Sequence, residues 1–226
     1  MKNDTTYFGA LVGRVANRIA GGRFTVKGHA FHTYKNDGNN TLHGGHRGFN
    51  QVFWSVRERA TGHFPYITFY YRSYDGEQGF PGALDVLVTY KIDGDYSFSV
   101  TMYARPVDDG KPTPVNLAQH TYWNLRGHGN GTILDHSVQI FASAVTPVGA
   151  GLIPTGAVSP VSGTPFDFRA PAPPGARIAD VPGGGYDINY VLDGEADGQG
   201  VRKAAVVSAP TSGRVLELWS DQPGLQ

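Results

Sequence analysis

The chain has 226 residues and carries 19 Lys and Arg against 19 Asp and Glu, so its formal net charge at neutral pH is zero. A neutral chain lacks the positive field that binds a nucleic-acid backbone, and we expect no nucleic-acid partner. There is no cysteine, which excludes disulfides, thiolate metal ligands and cysteine nucleophiles. No run of 18 apolar residues and no signal-peptide pattern occurs, so we expect no membrane partner and a cytoplasmic location.

Glycine and proline set the length of the predicted elements. The 31 Gly and 15 Pro residues are spread so evenly that long helices have little room. Between these breaks, short segments have the apolar alternation or the β-branched and aromatic content of strands. In chain order, the predicted strands are 24–26, 52–58, 66–72, 84–92, 96–102, 133–141, 188–192, 204–208 and 215–219.

The clearest strand pair is 84–92 with 96–102. Leu84, Val86 and Val88 alternate with polar residues, which is typical of a strand with one buried face. The segment 96–102 repeats the alternation, and Asp93 with Gly94 between the two predicts a tight hairpin turn.

Many short strands joined by turn residues predict an all-β sandwich or barrel. The segment 164–185 contains several prolines and a run of three glycines, and strand patterns of the same kind resume after it. We therefore interpret it as a long surface loop inside one domain, 1–226, and not as a linker.

Two histidine pairs have the spacing of metal ligands, but the sequence does not favour a metal site. His29 with His32, and His43 with His46, lie in Gly-rich segments without an interleaved Asp or Glu. We interpret His29, His32 and His46 as surface loop residues. His43 lies between paired Asn and paired Gly in 39–45, where it either faces a cleft or is a loop histidine satisfied by backbone groups.

A third histidine, His120, has polar and aromatic neighbours in the sequence. His120 lies in 116–125 among amides, a hydroxyl and two aromatic residues, an environment that suits proton transfer. The alternative is a core histidine packed on Trp123.

Three further polar residues are candidates for contacts with a ligand. Asn17 and Arg18 combine an amide with a five-donor guanidinium, which suits sugar hydroxyls or a carboxylate, although a structural salt bridge is the commoner role of such an arginine. Asp187 follows the glycine run and begins a strand, where it either accepts from ligand hydroxyls or closes an Asx turn.

Seven motifs in order resemble the aldose 1-epimerase family across essentially the whole chain. They are GRVANRI (13–19), NTLHGG (40–45), DGEQGFPG (75–82), PVNLAQHTYWNL (114–125), GTPFD (163–167), GYD (185–187) and QPGLQ (222–226). Each motif alone has low specificity, but seven in order are hard to obtain by chance. The residues around His120 are most similar to the family's plant members.

The resemblance implies a galactose-mutarotase-like β-supersandwich that binds a small-molecule aldohexose such as glucose or galactose. It implies that His120 is the general acid that protonates the ring oxygen, and that His43 hydrogen-bonds the sugar near the reacting carbon. It also implies no cofactor and no metal. The positions that the resemblance assigns to substrate binding are Asn17, Arg18, Asp187 and Gln226.

The same resemblance places the family's catalytic base, a glutamate, downstream of the motif that ends at Gln226. We therefore expect an incomplete sandwich without the family's first strands and C-terminal segment, and the activity of this chain is open. Two alternatives stay open as well. One is a non-catalytic carbohydrate-binding protein, and the other is a hexose-6-phosphate 1-epimerase, for whose additional cations the motifs offer only Arg18.

Overall fold

The computed structural model describes residues 6–94, 96–108, 110–198 and 200–226. The chain forms two compact units, Met1–Tyr122 and Trp123–Gln226. In the described residues, regular structure consists of β-strands and short 3₁₀ helices, which confirms the predicted all-β class. No helix of these residues is long and apolar enough to cross a membrane.

The first unit is built from hairpins and short strand pairs. Its 3₁₀ helices are Ala20–Gly22, Phe49–Gln51 and Glu77–Gly79. Its strands are β1 (Ala10–Val12), β2 (Arg18–Ile19), β3 (Arg23–Val26), β4 (His29–His32), β5 (Thr41–Leu42), β6 (Ser55–Ala60), β7 (Tyr66–Ser73), β8 (Leu84–Asp93), β9 (Ser97–Pro106) and β10 (Ala118–His120).

The largest sheet of this unit is antiparallel, in the order β6-β7-β8-β9. The ladder between β8 and β9 runs from the Leu84 and Pro106 pair to the Asp93 and Ser97 pair, which confirms the predicted hairpin. Leu84, Val86 and Val88 are buried, as the alternation predicts. The core cluster around them includes Phe49 and partly buried residues of β7 and β9, so one face of the sheet forms the hydrophobic core.

Three two-stranded sheets complete the first unit: β1 with β10, β2 with β5, and β3 with β4. The first joins residues 10–12 to residues 118–120, in the middle of the motif 114–125, since Ala10 pairs with His120. The second joins the motif 13–19 to the motif 40–45, since Arg18 pairs with Leu42. His29 and His32 lie at the two ends of β4, exposed as expected, but on a strand and not on a loop.

The second unit contains two antiparallel sheets, in the orders β11-β15-β16 and β13-β12-β14-β17. Its 3₁₀ helices are Ala150–Leu152, Pro174–Ala176 and Ile178–Asp180. Its strands are β11 (Ser137–Ile140), β12 (Ala142–Thr146), β13 (Ser159–Pro160), β14 (Asn189–Leu192), β15 (Arg202–Ser208), β16 (Val215–Ser220) and β17 (Gly224–Leu225). The predicted strand 133–141 is too long, because a turn closed by the His136 N–H on the Ile133 carbonyl (3.0 Å) precedes β11.

The segment 164–185 contains no strand, as predicted, but it is not only a surface loop. Phe168 (4% exposed) and Val181 (5% exposed) are buried, and Phe168 belongs to the core cluster of this unit. The Arg177 guanidinium donates to the carbonyls of Thr164 (3.0 Å) and Asp167 (2.5 Å). The loop therefore covers the core with its own side chains and satisfies its buried carbonyls internally.

Candidate functional site

Asn17 and His43 meet where the pairing of β2 with β5 ends. The His43 N–H donates to the Asn17 carbonyl, and the Asn17 N–H donates to His43 Nδ1, both at 3.0 Å. Both residues have left-handed backbone, with φ of 63° and 50°. Non-glycine residues keep this conformation only where the surrounding structure imposes it. Here the two hydrogen bonds hold them together.

The hydrogen bond from Asn17 also determines the tautomer of His43. Because Nδ1 accepts a hydrogen bond from the Asn17 N–H, the proton of the neutral ring is on Nε2. His43 therefore presents a hydrogen-bond donor at Nε2. A backbone group thus satisfies Nδ1, while a donor role of Nε2 toward a ligand oxygen stays a prediction.

His120 is the last residue of β10, and its carbonyl accepts from the Gly9 N–H (3.0 Å). Its half-buried ring lies 5.1 Å from the His43 ring, with an interplanar angle of 88°. The rings of Tyr7 and Tyr122 contact the His120 ring as well, with distances between ring centroids of 5.7 and 5.3 Å. The structure thus brings together two histidines from separate motifs, and it places His120 in a ring cluster outside the hydrophobic core clusters.

Arg18 forms the salt bridge that was the alternative to ligand binding. Its Nε donates to Asp37 Oδ2 at 2.7 Å, and its Nη1 donates to Asn17 Oδ1 at 3.4 Å. Asp37 offsets the charge of Arg18, and the second hydrogen bond orients the Asn17 amide beside His43. Asn17 therefore uses its backbone to hold His43 and its side chain to contact Arg18.

Asp187 and Gln226 are neighbours in the second unit. β14 and β17 pair antiparallel, with Tyr190 opposite Leu225. The start of β14 therefore lies beside the end of β17. Gln226 Nε2 donates to Asp187 Oδ1 at 2.6 Å, and both side chains are exposed. The motifs 185–187 and 222–226 thus supply one carboxylate and amide pair that can accept from and donate to hydroxyl groups.

Gly44 allows the backbone after His43 to approach the motif 13–19. Its φ is +88°, and a Cβ added there would lie 1.9 Å from the Gly13 carbonyl oxygen. We expect Gly44→Ala to lower the free energy of unfolding by about 2–3 kcal/mol, because a left-handed alanine is strained and the backbone clash adds to it. Urea denaturation measures this change.

The matched control is Gly28→Ala. Gly28 has a similar φ of +80°, but a Cβ there meets nothing within 4 Å. The control variant therefore has the backbone strain without the clash. Its free energy of unfolding should fall clearly less than that of Gly44→Ala. Equal losses in the two variants would contradict the role of the close approach at Gly44.

Arg14, a buried residue of the motif 13–19 that is 1% exposed, was not among the predicted site residues. Its guanidinium donates five hydrogen bonds of 2.5–3.1 Å to Ser73 Oγ, Tyr74 O, Pro81 O, Gly82 O and Thr113 Oγ1. Ser73 and Tyr71 in turn donate their hydroxyls to Glu77. The sequence signal for the burial of Arg14 was its position close to the apolar residues of β1.

Burial sets the protonation equilibria of this network. Desolvation lowers the pKa of Arg14 to about 10, although the charges of Glu77 and Asp75 oppose the shift. Desolvation raises the pKa of Tyr71, and its hydrogen bond to Glu77 raises it further. Arg14 is thus charged and Tyr71 neutral at pH 7. The motif 75–82 serves this network, in which it holds the backbone of 13–19 in place.

The aromatic partners of the histidine pair were also missed in part. Tyr122 was visible as one of two aromatics after His120, but Tyr7 belongs to no motif and is placed by the fold alone. Tyr122 also packs on Phe8 at 4.9 Å, and both of these rings are more than half exposed.

The first unit places two neighbouring imidazoles beside an amide and a guanidinium, and the second unit places a carboxylate beside an amide. Groups of these kinds are able to exchange protons with a polar ligand or to hydrogen-bond it. The sequence profile described as Aldose 1-epimerase matches residues 1–226. The chain belongs to the aldose 1-epimerase family.

Curated relatives agree with this assignment. The chain is 44% identical to galactose mutarotase of Mus musculus over 97% of its own length and 61% of the relative's. Galactose mutarotase of Homo sapiens is also 44% identical, over the same shares. Aldose 1-epimerase of Escherichia coli (strain K12) is 35% identical, over 100% of this chain and 64% of the relative. The chain thus spans less than two thirds of the length of these relatives.

Solved structures show the same fold. A GalM/aldose epimerase homologue from C. elegans matches with a TM-score of 0.83 and 26% identity, over 95% of this chain and 62% of that structure. Galactose 1-epimerase from Lactobacillus acidophilus matches with a TM-score of 0.79 and 25% identity, over 92% of this chain and 60% of that structure. These matches confirm the predicted galactose-mutarotase-like fold class.

Proposed function

We propose that this chain is an aldose 1-epimerase, an isomerase that interconverts the α and β anomers of hexoses such as glucose and galactose. The observation that carries the proposal is the pair of imidazoles 5.1 Å apart, one of which has its tautomer set by a backbone hydrogen bond. Family membership and the names of the relatives support the same activity.

The reaction needs one proton delivered and one removed. In the proposed mechanism, His120 donates a proton to the ring oxygen while a base takes the proton of the C1 hydroxyl, and the bond between C1 and the ring oxygen breaks. The open aldehyde rotates about its C1–C2 bond, and reclosure on the other face reverses both transfers. Imidazole suits the acid, because its ordinary pKa of about 6.5 allows it to reload near neutral pH.

The other site residues have binding roles in this proposal. His43 donates from Nε2 to a sugar oxygen beside the reacting carbon. Asn17, Arg18, Asp187 and Gln226 bind sugar hydroxyls. The base is a glutamate that the resemblance places after the motif 222–226. Water or an added carboxylate is also able to take this proton.

A phosphorylated hexose is a poorer candidate for the substrate. Of the two arginines in the motif 13–19, Arg18 is already paired with Asp37 at 2.7 Å, and Arg14 is buried in its own hydrogen-bond network. A phosphate would need further cations to balance its charge. The proposal therefore names the neutral aldohexose as the small-molecule partner. We further propose that both compact units belong to one epimerase domain, 1–226, which acts in the cytoplasm.

The test is polarimetry of fresh α-D-glucose and α-D-galactose with the purified chain, at several acetate concentrations. We expect a rate above that of buffer, because a positioned general acid alone contributes about 10²–10⁴ in rate. We also expect acetate to raise the rate more with the chain than without it.

Sugar binding is measured in parallel by saturation-transfer NMR. Binding without any rate above buffer, at any acetate concentration, would overturn the proposal in favour of a carbohydrate-binding protein. Acceleration only with glucose 6-phosphate would overturn the choice of a neutral hexose.

A further inference from the structure

Tyr7 contacts both histidines of the proposed site. Its ring lies 4.7 Å from the His43 ring at an interplanar angle of 68°, and 5.7 Å from the His120 ring at 41°. Together with the 5.1 Å separation of the imidazoles, these contacts make a triangle of three rings. The two contacts of the His43 ring are edge-to-face, which is a favoured arrangement of aromatic rings, and the contact between Tyr7 and His120 is tilted.

The backbone that holds Tyr7 is the same backbone that holds His120. The Ala10 N–H donates to the Tyr7 carbonyl (3.1 Å), and the Gly9 N–H donates to the His120 carbonyl (3.0 Å). Tyr7 has a φ of 59°, a left-handed conformation that a bulky residue adopts only when its surroundings impose it. The turn therefore aims the ring at the histidine pair.

The two imidazoles differ in how they are oriented. His43 is anchored by the hydrogen bond from Asn17 to its Nδ1. Among the residues that the structure describes, no group hydrogen-bonds the ring nitrogens of His120, so ring contacts set its orientation. Of its aromatic neighbours, Tyr122 is 55% exposed and Tyr7 is half-buried. The Tyr122 ring is nearer to the His120 ring, with a centroid distance of 5.3 Å against 5.7 Å for Tyr7, but Tyr7 is the less exposed of the two and also contacts the anchored His43.

We propose that Tyr7 is a positioning residue, whose ring transfers the fixed orientation of His43 to His120. The inference rests on the proposed function, in which His120 must aim one nitrogen at the sugar ring oxygen. Misplacement of a reacting group by about 1 Å can cost up to about 10²-fold in rate. Loss of the Tyr7 ring should therefore lower kcat more than it changes KM.

The experiment compares Tyr7→Leu and Tyr7→Phe with a control, Tyr96→Leu. Tyr96 has a φ of 62°, nearly that of Tyr7, but its side chain is fully exposed at the β8–β9 hairpin. For Tyr7→Leu we expect kcat to fall about tenfold and KM to change less than about threefold. The expected loss of kcat is smaller than the roughly 10²-fold that a misplacement of about 1 Å can cost. Tyr7→Phe keeps the ring and should restore kcat.

A second measurement does not depend on activity. The side-chain ¹³C and ¹⁵N resonances of His120 should shift or broaden in Tyr7→Leu, and should match the parent chain in Tyr7→Phe and Tyr96→Leu. Unchanged His120 resonances in Tyr7→Leu would overturn the inference, as would equal loss of kcat in the Leu and Phe variants. If no variant and no parent chain accelerates mutarotation, the proposed function fails while the resonances still decide the role of Tyr7.

Discussion

His120→Gln is expected to remove the contribution of the general acid and to lower the mutarotation rate by about 10²–10⁴-fold, as far as the rate of buffer allows. Glutamine is close to histidine in size and keeps a hydrogen-bond donor, but its amide does not exchange a proton near neutral pH. Because the ring is half-buried and lies outside the core clusters, the variant should fold. The loss should therefore appear in kcat and not in the melting temperature.

The matched control for this variant is His32→Gln. His32 ends β4 with an exposed side chain and belongs to none of the ring contacts around His120. Polarimetry with α-D-galactose compares the two variants with the parent chain. If His120→Gln retained the parent rate, His120 would not be the acid, and another group would have to protonate the ring oxygen.

Arg14→Met is expected to lower the free energy of unfolding by about 3–5 kcal/mol. The substitution keeps most of the side-chain volume but removes donors to buried groups, including the carbonyls of Pro81 and Gly82. Each buried acceptor left unsatisfied costs about 1–3 kcal/mol. It also removes the positive charge that faces Glu77, and breaking a buried charge arrangement on one side costs about 3–5 kcal/mol.

Three further variants separate these causes: Glu77→Gln, its combination with Arg14→Met, and Arg23→Met. Arg14→Met combined with Glu77→Gln should be less destabilised than the sum of the single variants, because the uncompensated carboxylate is removed. Arg23→Met, at an exposed position of β3, should change the free energy of unfolding by less than about 0.5 kcal/mol. Urea denaturation measures the parent chain, Arg14→Met, Glu77→Gln, the double variant and Arg23→Met. A loss at Arg14 no larger than that at Arg23 would contradict a structural role of the network.

The sequence predicted the strands well where one residue pattern dominates. The period-two pattern of 84–92 follows directly from a strand with one buried face, and the observed β8 (Leu84–Asp93) agrees with it. The predicted strand 52–58 begins too early, because Phe49–Gln51 forms a 3₁₀ helix just before β6 (Ser55–Ala60). Local turns and helices of this kind depend on packing that a hydrophobic pattern does not contain.

The sequence was least informative where burial contradicts composition. The segment 164–185 has the prolines and glycines of a surface loop, yet Phe168 belongs to the core. Arg14 has a side chain that is usually exposed, yet it is buried because five acceptors converge on it. In both cases the deciding partners come from positions far along the chain.

For the candidate site, the sequence by itself determined the family, the all-β class and the identity of the polar residues, because residue types in order are sufficient to recognise motifs. Only the tertiary structure decided how those residues act together. The strand pairs β1 with β10 and β2 with β5 bring His120 and His43 to 5.1 Å, and the Asn17 backbone sets the tautomer of His43. Distances and hydrogen-bond directions between remote segments depend on strand register, which no single motif encodes.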